Sequence, residues 1–151
     1  MSESHGIRMI DVGGKPPSLR TARASARLRA LPETIRLIRA GGLEKGDAIA
    51  TARLAAIMAA KRTSDIVPLC HPLPLEAVEA TLVFAAPDAV VIETVVRATA
   101  RTGVEMEALV AATAAALAIY DMCKSVDRGM TIEEVRLEEK TGGTRGDYRR
   151  G

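Results

Sequence analysis

The chain has 151 residues, 48% hydrophobic and 26% charged, which fits a single soluble domain large enough to bury a core. A net charge of +2 is too small to mark a nucleic-acid binder, and 2% aromatic residues leave a single-stranded binder without stacking platforms. The start MSESHGIRMI has no apolar signal core, and two distant cysteines, Cys70 and Cys123, give no disulfide framework, so the cytoplasm is the expected compartment. No internal repeat divides the chain. Residues 1–8 and the tail from Thr141 are rich in Gly, Ser and charge and are expected to be mobile, leaving about 9–140 as the ordered core of one domain, 1–151.

From Thr21 to Ala30 the sequence alternates, with Ala22, Ala24, Ala26, Leu28 and Ala30 on one side and Arg23, Ser25, Arg27 and Arg29 on the other. Period two predicts a half-buried strand. A helix is expected to open at Pro32, a residue suited to the first turn, and to stop at Gly41-Gly42. A second starts near the N-cap residue Asp47 and runs to about Arg62. Val78, Ala80, Leu82 and Phe84, then Ile92, Thr94, Val96 and Ala98, alternate on either side of Ala-Ala-Pro-Asp-Ala and predict a β-hairpin. Thr102-Gly103-Val104-Glu105 has the pattern of a capping box and opens a third helix reaching about Val126. Val135 and Leu137 suggest a further strand. The order is read as β-β-α-α-β-β-α-β, an α+β sandwich with one antiparallel sheet and helices packed on one face.

The longest apolar run, Ala108 to Tyr120, falls short of a membrane span and is flanked by Glu107 and Asp121. Helices two and three are apolar almost all round, over Ala55 to Ala60 and Ala108 to Ala118. Helices without a polar face are normally buried on every side, and a domain of this size has little room for two. A homo-oligomer is therefore expected, with the alanine-rich faces packed between subunits.

Four places carry candidate chemistry. In KRTSDIVPLCHPLP (61–74), Pro72 biases His71 towards extended geometry on a stiff loop, where the imidazole could contact substrate or simply bond to backbone. Neighbouring Cys70 and His71 lack the spacing of zinc ligands, and no orienting third residue completes a nucleophilic pair. Lys45-Gly46-Asp47 sets a lysine beside a helix N-terminus, which suits an anion. Asp121 and Lys124 lie three apart on one helix face, either an ordinary surface ion pair or an acid–base couple. Glu105 has a structural role in the capping box, Met106 reads as core, and Glu107 is free to accept N–H groups of a guanine-like ring. Glu107 and Asp121 stand roughly 21 Å apart along a straight helix, so a site using both is either elongated or built from two copies of the chain, and the expected oligomer favours the second.

The motifs MIDVGGK (9–15), KGDAIATARLAAIMAAKRTSDIVPLCHPLPL (45–75), TGVEMEALVAATAAALAIYDMCKSVDRGM (102–130) and VRLEEKTGGTRGDY (135–148) cover nearly the whole chain in order. In them the chain resembles the cyclic pyranopterin monophosphate synthases, the molybdenum cofactor biosynthesis protein C family. The resemblance implies a ferredoxin-like α+β fold, a homohexamer built as a trimer of dimers, and active sites between subunits. It implies a pyrophosphate-releasing lyase that converts 3',8-cyclo-7,8-dihydro-GTP to cyclic pyranopterin monophosphate. Carried over by motif, Asp121 and Lys124 would be catalytic; Leu69, Cys70, His71, Met106 and Glu107, with Glu105, would bind substrate; and Lys45 and Lys61 would face the triphosphate. No metal site and no cofactor are implied, although Mg²⁺ can accompany a triphosphate; nucleic acid and membrane are not expected partners. Ser64 and Arg101 depart from the family pattern, which expects an aromatic and a lysine there. The rival from another class is a non-catalytic nucleotide- or phosphate-binding oligomer, which needs the bases but no acid–base couple.

Overall fold

A computed structural model describes residues 5–151. Its elements are β1 (Ser18–Arg29), α1 (Pro32–Ala40), α2 (Ala48–Lys61), α3 (Thr63–Ile66), β2 (Ala77–Ala85), β3 (Ala89–Ala100), α4 (Glu105–Cys123), β4 (Thr131–Thr141) and β5 (Tyr148–Arg149). The strands form one sheet in the order β2-β3-β1-β4-β5, antiparallel throughout. Two central strands, β1 and β3, with helices carrying both crossovers, make the ferredoxin-like arrangement.

The alternation in β1 does what its period requires. Ala22, Ala24, Ala26 and Leu28 are at most 1% exposed, facing α4. Opposite them in register stand Val96, Thr94, Ile92 and Val90 of β3, all fully buried. Thr94 is the polar member of this stripe, and its hydroxyl donates to the carbonyl of Ala108 at 2.7 Å, which satisfies it in the core. The helix signals are equally literal. The Asp47 carboxylate accepts from the Ala50 amide at 3.0 Å, and Gly41 ends α1 at φ 73°, a conformation that disfavours any residue with a Cβ.

At 19 residues α4 is, by length and composition alone, apolar enough to span a membrane, yet Ala108, Ala111, Ala112, Ala115, Ala116 and Ile119 are fully buried, which makes it a core helix. Three expectations need correction. No strand precedes β1 among the described residues; the fifth strand is β5, after β4, and a short α3 follows α2. The capping box does not form, because Thr102 Oγ1 bonds the Gly103 carbonyl and α4 starts two residues later than the motif suggests. The third concerns the alanine stripes, which are used inside the chain: Ala52, Ala56 and Ala60 of α2 pack against α4, where small side chains permit close approach. What remains outside is larger, including Leu54, Met58 and Leu117.

The expected mobility of residues 1–8 falls partly on residues 1–4, outside the described part. The tail has a defined course: residues 142–147 turn back and set Tyr148 beside Lys140.

Helix α1 begins behind Leu31, which has no side-chain acceptor for the first amides. Asp127, 5% exposed and just past α4, supplies one: it accepts from the Leu31 amide and Thr34 Oγ1, both at 2.9 Å, and from Gly129 N at 3.2 Å. Removing this carboxylate takes the acceptor from three donors, the Thr34 hydroxyl in a buried place. Asp127→Ala is expected to cost about 1–3 kcal/mol, read as a Tm lowered by about 3–10 °C in thermal denaturation.

Candidate functional site

The sequence-chosen residues fall into two groups at opposite ends of α4. At its N-terminal end is a cavity of about 440 Å³, lined by Leu69, Cys70 and His71 from the loop after α3 and by Glu105 and Met106 from the first turn of α4. Proline at 68 and 72 stiffens that loop, as Pro-flanked segments do. Four basic residues that the motifs did not single out also line the cavity: Lys15, Arg20, Lys140 and Arg145. Among the described residues one of these charges is answered there, by Glu105, whose Oε1 accepts from Lys140 Nζ at 3.4 Å. The cavity is therefore a cationic bowl of the size that holds a small ligand.

Arg20 has a legible cause. It occupies the same parity in β1 as Ala22, Ala24 and Ala26, so its side chain points to the helix-facing side, past the end of the core. Its Nε donates to the Ala100 carbonyl and its Nη2 to the Arg101 carbonyl, both at 3.2 Å. Arg101 itself points away, with Nη1 donating to Gly13 O at 3.2 Å. Lys140 reaches the cavity by a different route. It stands opposite Ala22, while Leu137 stands opposite Ala24. Three positions in β4 match two in β1, which is a bulge, and the bulge turns Lys140 inward where plain alternation would have chosen Glu139.

Glu107 is not on the cavity surface. It lies 2% exposed behind Cys70, whose Sγ donates to Glu107 Oε2 at 3.7 Å, and Oε1 has no hydrogen-bond partner. Burial raises its carboxyl above the usual range, and the charge of Glu105 adds to the shift. Burial, then the Glu107 charge, pushes the Cys70 thiol up as well, so Cys70 stays protonated and is no nucleophile at neutral pH. A carboxyl raised in the folded state adds stability below its ordinary value of 4.5 and loses it as pH rises through the folded value. Denaturation at pH 4 and pH 8 is therefore expected to show the parent losing more stability over that interval than Glu107→Gln.

At the other end of α4, Asp121 joins two lysines. Lys124 Nζ lies 2.9 Å from Oδ1, as the one-turn spacing predicts, and Lys45 Nζ 2.8 Å from Oδ2. The hydrogen bond from Lys45, then that from Lys124, lowers the Asp121 carboxyl to about 2. All three side chains are about half exposed, at 51–56%, and line none of the cavities described here. Lys61, at the end of α2, is exposed and joins neither group.

Met106 and Asp121 are separated by roughly 22 Å of helix. Between them, the outer side of α4 forms an apolar groove of about 290 Å³ with Ile66, Leu109, Val110 and Leu117. Among the described residues no three His, Cys, Asp or Glu side chains converge in an arrangement that could hold a metal ion. Cys70 and Cys123 are free thiols.

The sequence profile of the MoaC family matches residues 9–143. Over 150 residues, 99% of the chain, it is 54% identical to cyclic pyranopterin monophosphate synthase 3 of Mycobacterium tuberculosis, covering 85% of that protein. It is 53% identical to cyclic pyranopterin monophosphate synthase of Streptomyces coelicolor, covering 88% of it, and 52% identical to synthase 1 of Mycobacterium tuberculosis, also at 88%. With identity at this level along its whole length, the chain belongs to the MoaC family.

Proposed function

We propose that the chain is a cyclic pyranopterin monophosphate synthase, a pyrophosphate-releasing lyase acting on 3',8-cyclo-7,8-dihydro-GTP in the cytoplasm. The observation that carries this reading is the cationic cavity around the Leu69-Cys70-His71 loop, in a chain more than half identical to synthases of that name. A triphosphate brings several negative charges, and Lys15, Arg20, Lys140 and Arg145 line the cavity to meet them, with His71 beside them as a further polar contact. Mg²⁺ enters, where it enters, as part of the substrate's triphosphate.

The reaction opens an imidazole ring, rebuilds a pterin and closes a cyclic phosphate. In the last step a substrate hydroxyl attacks the α-phosphorus, its proton passes to a base, the bond to the bridging oxygen breaks, and pyrophosphate leaves. Positive charge at the departing diphosphate lowers that barrier. The ring steps need repeated proton transfers, for which Lys124 is the acid–base group. Asp121, ionised well below neutral pH, is a poor proton acceptor; it holds Lys124 and Lys45 in place. Glu107 works from behind, bracing the Cys70 thiol and with it the loop that carries His71.

One chain carries these groups too far apart to share a substrate, so the site is assembled from two copies. The apolar groove along α4 joins the two ends. Two copies laid antiparallel along it would bring Asp121 and Lys124 of each to the cavity of the other, a two-fold contact that makes two sites at once. A hexamer built as a trimer of dimers, the assembly the resemblance implies, would repeat this unit three times. Incubating the purified protein with the cyclised nucleotide is expected to release one pyrophosphate per nucleotide consumed. Tight binding without pyrophosphate would leave a binding module instead.

A further inference from the structure

We infer that Gly143 is a positioning residue for the phosphate-binding Arg20: its bare Cα makes the seat in which the guanidinium lies. This inference rests on reading the cavity as a polyphosphate site. Two carbonyls, Ala100 O and Arg101 O, hold one edge of the Arg20 guanidinium through Nε and Nη2. Nη1 is on the opposite side, against Gly143. A Cβ built on Gly143 would collide with Nη1 and lie only 2.8 Å from Cζ. The obstacle is the end of a flexible side chain rather than backbone, so a side chain at 143 displaces the arginine and leaves the strand where it is.

The neighbouring glycines do different work. Gly142, at φ 95°, faces the Leu19 carbonyl and Arg20 Cα, where a Cβ would meet backbone; its role is the close passage of two chains. Gly146, at φ 80°, has open space where a Cβ would go. Gly143, at φ 87°, is thus the one glycine of this turn whose missing side chain is replaced by a charged group that lines the cavity. The turn is also held from both sides, by β4 before it and by β5 and the Arg150 Nε bond to Leu137 O after it. The seat cannot drift away from the arginine.

The effect is that Arg20 arrives with its fork fixed before the ligand does. Three N–H groups remain after the two carbonyl bonds, and a preorganised guanidinium loses less freedom on binding phosphate than a free one. The inference separates two causes of damage at position 143, backbone strain and arginine displacement, and Gly41, which lies outside the cavity, supplies the control. Gly41→Ala puts a side chain at a similar positive φ, 73°, into open space, so it carries the strain alone.

Tripolyphosphate binding to the assembled protein, measured by titration calorimetry at fixed ionic strength, tests it. Arg20→Ala is expected to weaken binding by about 10–100-fold, the loss of a charged hydrogen-bonding group. Gly143→Ala should weaken it nearly as much, Gly41→Ala by no more than about twofold, and Arg20→Ala with Gly143→Ala no further than Arg20→Ala alone. If Gly143→Ala fails to fold, the double variant decides: it folds when the guanidinium is the obstacle, and its failure overturns the inference. Gly143→Ala binding like Gly41→Ala, or weakening the Arg20→Ala background as much as the parent, also overturns it. Arg20→Ala binding like the parent would instead remove the polyphosphate reading beneath it.

Discussion

Replacing Lys124 with alanine is expected to lower turnover by at least the 10²–10⁴-fold typical of a lost general acid–base group, with fold and assembly unchanged. The reasons are structural. Lys124 is about half exposed, and its partner among the described residues is the Asp121 carboxylate at 2.9 Å. Truncation removes no core contact and leaves Asp121 still paired with Lys45 at 2.8 Å. The loss should therefore appear in kcat, with circular dichroism and molecular mass as in the parent. Asp121→Asn should be milder in chemistry but broader in effect, because one carboxylate orients two lysines. Its carboxyl lies at about 2, so titration of Asp121 cannot be the acidic limb of a pH–rate profile measured above pH 4. Near-normal product formation by Lys124→Ala would remove the acid–base assignment and turn attention to the cavity.

What the sequence made legible, and what it hid, follow from the same geometry. The strand alternation, the Asp47 cap and the Gly41 stop are local, and each sits where its residues predict. The Asp121–Lys124 pair was legible because one helical turn fixes it. Lys45 as the second partner of Asp121 was not, since that contact spans 76 residues and depends on α2 lying antiparallel on α4. Arg20 left a signal that a strand started at Thr21 cuts off: a charge on the buried parity. Lys140 left none, because a bulge reverses the parity of β4 and bulges have no reliable mark in a single sequence. The capping box failed for a related reason. Glu105 has a second suitor, Lys140, that only the folded sheet delivers.

The separation of the two groups along α4 yields the sharper test, complementation between two dead variants. Lys124→Ala damages only the C-terminal end of α4, and His71→Ala only the cavity at its N-terminal end. If each site takes its cavity from one copy and its lysine from another, neither homo-oligomer contains an intact site. A co-assembled mixture does, wherever a Lys124→Ala chain gives the cavity and a His71→Ala chain gives the lysine. Random 1:1 assembly makes about a quarter of the sites intact under two-fold pairing. Co-expression with two affinity tags, followed by sequential purification, should therefore recover roughly that share of parental activity from mixed oligomers. Separately purified variants that cannot exchange subunits should recover none when combined. Twenty-odd ångströms of straight helix leave little alternative: a single chain would have to bend α4 at its alanine-packed centre, where Ala111, Ala112, Ala115 and Ala116 are fully buried, before its own lysine could reach its own cavity.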